Sequence, residues 1–364
     1  MAKEMTPYER ALASINNEPV DRLCCYPLAG ATYRKIIDKP ATLREMSQDP
    51  HICAKCFLAG AARYDLEFTV TLTDLAVQAH DYGAHVRMDE ENTPFVDGHV
   101  GHGPEDYDKF QPLDPDQGRI KFLIDANREI AAGLKDKTFL AVHVEGPLLA
   151  LSQSIGAEQL FMDMFTDPAP VHRALANTTE TCSRILAKLS AETETPAILW
   201  NFLWGNYSVL GDAEYHEFEA NDKYAKRLIK ETREAKLGFA IHNCADMPHL
   251  DTQIKEYGAD VYSMAYYPDN PSSPSATKVI EGGYADNCLI DGNTDPQVFA
   301  RGNAASIDAA AKGLCQEVKT ALCKRGLNSR WCIGSGCEVP PEVQTPIENV
   351  DAYVNSVRKY GRMD

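Results

Sequence analysis

Three residues in the sequence have the types and spacing to do metal chemistry. The run "AIHNCAD" places His242 and Cys244 two residues apart at the end of a short apolar segment. Alternation along a strand sends residues i and i+2 to the same side, so both side chains face one mouth. Cys337 follows another such segment, in "WCIGSGCEVPP". One imidazole and two thiolates make a three-ligand zinc set with an open fourth position. A thiolate-rich zinc with a free position suits a soft ligand, above all a thiol. Free cysteine is also a common small core residue, so spacing alone leaves the inert reading open beside the metal one.

A second cluster, "HICAKC", offers His51, Cys53 and Cys56. It follows Pro50 and reads as the start of a helix, where Cys53 and Cys56 share one face and pack inward. Cys24, Cys25 and Cys332 fall inside strands and read as structural.

The elements that must position these residues alternate. Apolar runs expected as strands are Leu23 to Pro27, Leu66 to Leu72, Thr138 to Gly146 and Ala197 to Gly205. The others are Gly238 to Asn243, Ala259 to Tyr266, Asn287 to Asn293 and Arg330 to Gly334. Helical periodicity fills most gaps between them. Eight strands separated by helices predict an α/β fold, a (β/α)8 TIM barrel, spanning residues 1–364 as one domain. An N-terminal helical extension is expected over residues 6–17, with Thr6, Pro7 and Glu9 as its start signal. The acidic, turn-rich stretch 89–116 reads as an excursion over the barrel mouth or edge. Barrel active sites lie at the carboxyl ends of the strands. That rule nominates Asp74, Glu145, Asn201, Trp204, Tyr207 and Asp291 beside the three ligands. Strands five and eight are not neighbours in a barrel, so the loop bearing Cys337 must lean across the mouth.

Composition narrows the partners. The chain has 364 residues, 36 basic against 53 acidic, and a net charge of −17. An acidic chain repels phosphate backbones, which argues against nucleic acid. No run of about 18 apolar residues occurs, so no membrane span is expected. The charged N-terminus lacks the apolar core of a signal peptide, which predicts a cytoplasmic protein. Eleven cysteines in that compartment point to reduced, buried or metal-bound thiols.

Longer stretches carry a resemblance. "MTPYERALASINNEPVDRLCCYP", "TDLAVQAHDYGAHV", "VEGPLLALSQSIGAEQLFMDMFTDPAPVHRAL", "DGNTDP" and "GSGCEVPPEVQTPIENV" resemble segments of the uroporphyrinogen decarboxylase superfamily. They are most similar to its cobalamin-dependent methyltransferase branch, and the superfamily's barrel agrees with the strand count. Decarboxylases of the family carry "RQAGRY" after the first strand, where this chain reads "PLAGATY" without arginine. They keep a histidine in the closing motif, where this chain has Cys337. The methylcobalamin:coenzyme M methyltransferases carry His-x-Cys and a later Cys, which His242, Cys244 and Cys337 match. The resemblance implies Zn2+ at those three residues and methyl transfer between a corrinoid (cobalamin) protein and a small molecule. That molecule is a thiol or a methylated compound such as an aryl methyl ether, methylamine or methylthiol. The gap from Cys244 to Cys337 is longer than in the coenzyme M enzymes, and 89–116 has no assigned counterpart. Asp74 matches a carboxylate that is catalytic in the decarboxylases; Glu145, Asn201, Trp204, Tyr207 and Asp291 stand as substrate or corrinoid contacts. No Asp-x-His-x-x-Gly corrinoid motif occurs ("DPHICA" has Ala54 in the glycine place), so a separate corrinoid protein is the expected partner. The competing expectations are a metal-free decarboxylase, a lyase, and a non-catalytic barrel that only binds the corrinoid protein.

Overall fold

The computed structural model describes residues 4–101, 103–341 and 345–363. Eight strands form one parallel sheet: β1 (Cys24–Tyr26), β2 (Phe68–Val70), β5 (Phe139–Glu145), β6 (Ala197–Asn201), β7 (Gly238–Asn243), β8 (Val261–Met264), β9 (Leu289–Thr294) and β10 (Trp331–Ser335). Every expected strand is present: Gly238–Asn243 has the expected bounds, Leu289–Thr294 and Trp331–Ser335 start later and end one residue further on, and the others are trimmed by one to a few residues. Ala197–Asn201 stops short of Gly205 because the Gly205 N–H turns back to Phe202 O at 3.1 Å. Helices separate the strands and cover the outer face. The strands read as unbroken apolar runs because both of their faces are buried, as parallel sheets require. The result is the α/β TIM barrel that the strand count predicts.

The order β1-β10-β9-β8-β7-β6-β5-β2 leaves β1 and β2 without a shared ladder among the described residues. Side chains close this seam instead. The Tyr26 hydroxyl accepts from Val70 N–H at 2.9 Å. Glu67, fully buried just before β2, accepts from Cys25 N–H at 2.9 Å and from Arg10 Nη1 at 2.6 Å. Arg22 Nη2 lies 2.7 Å from the same carboxylate. Arg10 belongs to the N-terminal helix Pro7–Ile15, which starts with the expected capping box of Thr6 and Glu9. The helical extension thus supplies one charge of the barrel's closure.

Sequence reading did not resolve a small hairpin, β3 (His85–Arg87) paired antiparallel with β4 (Phe95–Gly98). Its strands are short and largely exposed, so they leave almost no hydrophobic alternation to detect. It opens the region expected to be an excursion, and Thr93 and Pro94 of its turn, with Phe95 at the start of β4, wall the mouth pocket. A two-turn 3-10 helix, Pro104–Lys109, follows it. No helix among the described residues is long and apolar enough to cross a membrane.

Candidate metal centre

Register builds the site. The parallel ladders align Asn201 with His242, His242 with Ser263, and Ser263 with Asp291. These four residues form one lateral row near the carboxyl ends of β6 to β9. His242 Nδ1 lies 3.1 Å from Ser263 Oγ, which leaves Nε2 as the free ligand atom. Beyond Ser263 sits Asp291, buried and with Oδ1 lacking a hydrogen-bond partner. Burial pushes the Asp291 carboxyl up to about 7, against hydrogen bonds from Ser263 and Cys332 and the pull of His242.

Cys244 follows β7 and Cys337 follows β10. Gly336 solves the problem of bringing the second to the first. A Cβ there would meet Ala265 Cα at 2.7 Å, so only glycine lets the chain pass this close. The Gly336 N–H bonds Thr294 O at 2.8 Å, and Val339 N–H bonds Leu28 O at 2.7 Å. The loop is therefore pinned on both sides, over β9 and over the β1 exit. The ligand atoms of His242, Cys244 and Cys337 all lie within 4.8 Å of one another, the one such triad among the described residues. Both cysteines are partly exposed. The Cys337 hydrogen bond holds the Cys244 thiol below its ordinary range, although burial opposes this. The same bond, with burial, raises Cys337 well above it. Metal binding displaces the protons of both thiols. The Tyr267 hydroxyl donates to Cys244 O at 2.8 Å and braces that loop.

One imidazole and two convergent sulfurs fit zinc, and no fourth protein ligand closes the set among the described residues. The triad lines a pocket of about 390 Å³ whose walls include Leu28, Leu75, Phe95, Leu203, Asn201 and Glu338. Glu338 accepts from Thr73 Oγ1 at 2.6 Å and from Ala31 N–H at 3.0 Å. Burial pushes its carboxyl up to about 7.

The other nominated residues divide. Asn201 lines the pocket, with a buried Oδ1 that has no partner. Asp74 turns away from it: Oδ2 pairs with Arg119 Nη2 at 2.5 Å and Oδ1 accepts from Ala76 N–H at 2.9 Å. Glu145 is not among the pocket's lining residues; it accepts from Gln78 N–H at 3.1 Å, and burial pushes its carboxyl up to about 8. Trp204 donates to Ser152 Oγ at 2.8 Å and stacks edge-on with Phe161, outside the pocket. The Tyr207 hydroxyl donates to Asp212 at 2.9 Å, and its ring lies on His249. The alternative cluster is dispersed: His51 is exposed and pairs with Glu129, while Cys53 and Cys56 are buried. Cys24, Cys25 and Cys332 are buried as expected.

Sequence reasoning missed Ser263, Glu338 and Tyr267. Glu338 had a signal, since it adjoins Cys337. Ser263 had none, because only the β7–β8 register sets it beside His242. Removing its hydroxyl frees the imidazole to rotate. Ser263→Ala is therefore expected to weaken zinc binding about tenfold, as outer-shell partners of ligating histidines do. Competition with a chromophoric chelator measures this.

Comparison with known proteins agrees with this architecture. The family model for uroporphyrinogen decarboxylase (URO-D) matches residues 6–360. A methylcobamide:CoM methyltransferase, MtbA, of Methanosarcina mazei is 24% identical over 85% of this chain and 88% of its own. The MtbA of Methanosarcina acetivorans is 23% identical over 98% of this chain and 99% of its own. A uroporphyrinogen decarboxylase of Thermus thermophilus is 23% identical over 90% of this chain and 89% of its own. A solved methyltransferase from Methanosarcina mazei superposes with a TM-score of 0.78 at 21% identity, covering 98% of this chain and 99% of that one. With the barrel, the closing motif and a family match along nearly its whole length, this chain belongs to the uroporphyrinogen decarboxylase family.

Proposed function

We propose that this protein is a zinc-dependent methyltransferase of the corrinoid-dependent branch. It moves a methyl group between a corrinoid held by a partner protein and a small thiol or methylated compound. The observation that carries the reading is the convergence of His242, Cys244 and Cys337 on the wall of an accessible pocket. Zinc on such a donor set lowers the proton affinity of a sulfur in the fourth position and leaves that sulfur nucleophilic. In transfer to a thiol, the carbon–cobalt bond breaks with its electron pair left on cobalt. The carbon–sulfur bond forms, and the thiol proton passes to solvent. The chain's own residues orient and shield this step. Ser263 holds the imidazole, Tyr267 braces the Cys244 loop, and Leu28, Leu75 and Leu203 keep the pocket apolar. The names of the Methanosarcina relatives support the reading, and the missing Asp-x-His-x-x-Gly motif supports a separate corrinoid carrier.

Decarboxylation is the second reading, favoured by relatives of comparable identity named uroporphyrinogen decarboxylase. A multi-carboxylate substrate needs cationic clamps. No lysine or arginine lines the pocket among the described residues. Metal analysis and the cobalamin spectrum separate the two. Zinc-loaded protein is expected to consume methylcobalamin when a suitable thiol is added. Protein that retains no zinc, or that leaves cobalt unchanged with every thiol and methyl compound and its corrinoid protein present, sinks the proposal.

A further inference from the structure

Cations are missing from one rim of the barrel. The chain has 36 lysines and arginines, yet none falls in residues 138–172, 197–222, 238–254, 256–277, 279–300 or 331–357. Those segments contain β5 to β10 and the residues that directly follow each strand; Lys278, whose Nζ donates to Pro271 O at 2.9 Å, and Arg301, which ends the short helix Gln297–Arg301, lie just beyond them. The segments do contain Glu158, Asp167, Asp212, Asp246, Asp269 and Asp295. The rim is therefore a region of negative potential, which repels anions before they reach the pocket.

The pocket continues the pattern. Apart from the metal triad, its one charged side chain among the described residues is Glu338, held facing it by Thr73 and Ala31. Three of the arginines on the other loops are engaged elsewhere. Arg34 bonds Ala41 O, Glu91 and Pro341 O. Arg87 bonds Asp89 at 2.9 Å beside the Phe95 ring. Arg119 is the buried partner of Asp74. An anion entering this apolar space loses hydration with no cation in return, and it meets a like-charged carboxylate.

We propose that the site takes a thiol, or its methylated form, whose remaining body is uncharged or cationic, and that it rejects anionic ones. A substrate ammonium would pair with Glu338. This rests on the zinc–thiol reading above. It also separates this chain from its Methanosarcina relatives, because coenzyme M, the acceptor in their name, ends in a sulfonate that would find no partner here.

The test uses three thiols with one skeleton: 2-mercaptoethanesulfonate, 2-mercaptoethanol and 2-mercaptoethylamine. Each is titrated at pH 8 into metal-loaded protein, with cobalt(II) in place of zinc so that sulfur binding is read from its absorption band. Constants are corrected for each thiol's own ionisation. Methylcobalamin consumption is followed in parallel with the zinc form. The neutral and amino thiols are expected to bind at least about tenfold tighter than the sulfonate, given the cost of like-charge juxtaposition. In Glu338→Gln the amino thiol drops to the level of the neutral one. Sulfonate binding as tight as the others overturns the inference while leaving the zinc–thiol reading intact. An order unmoved by Glu338→Gln removes Glu338 as its cause. Loaded protein that binds no thiol at all overturns the functional reading and this inference with it. The wild-type series decides the charge preference even where the variant does not fold.

Discussion

Replacing Cys337 by serine is expected to abolish metal retention and methyl transfer together while the barrel stays folded. Serine keeps the size of the side chain but supplies no thiolate at neutral pH, and zinc prefers sulfur in such a set. Cys337 sits on a loop pinned by Gly336 and Val339, so backbone bonds and not the sulfur hold its position. Two ligands remain, His242 on β7 and Cys244 just after it. Zinc affinity is expected to fall by more than about a hundredfold, beyond the range that outer-shell losses produce. Metal content after dialysis, thiol binding by the cobalt(II) form and an unchanged circular dichroism spectrum check the three parts. Retained metal with normal affinity would remove Cys337 from the site.

The second large effect lies at the barrel seam. Glu67→Ala is expected to cost about 3–5 kcal/mol, the range for removing one partner of a buried ion pair. The deletion strips Arg22 of its nearest carboxylate and leaves the Cys25 N–H without its acceptor. Arg10 keeps Asp21, at 2.7 Å, and so loses less. Because this carboxylate joins strands that share no ladder, its loss also loosens β1 against β2. Urea unfolding measures the cost. Glu67→Gln, which preserves two acceptor lone pairs but no charge, is expected to fall between wild type and alanine. A loss below about 1 kcal/mol, the scale of exposed ion pairs, would mean that water or another group takes over the seam.

Local patterns in the sequence determined the elements. Parallel strands buried on both faces must be continuous apolar runs, so all eight were legible. The Thr6–Glu9 capping box marked its helix because both of its hydrogen bonds close within four residues. His242 and Cys244 were legible as a pair because alternation along one strand is also local. Cys337 was nominated from the end of its own strand, and the family resemblance strengthened its place in the set, since nothing within that strand connects it with β7. Tertiary structure alone decided the rest. The β7–β8–β9 register set Ser263 and Asp291 behind His242, although more than 20 residues separate each from the next along the chain. The same strand ends that nominated Asp74, Trp204 and Tyr207 turned those side chains into an ion pair, a packing contact and a surface stack. A position past a strand end shows which side chains lie near a mouth; which of them face it depends on the partners that burial and register bring within reach. Lysine and arginine were countable from the first, but their scarcity at one rim acquired meaning only when the fold gathered six separate segments at one barrel mouth, four of which line the pocket.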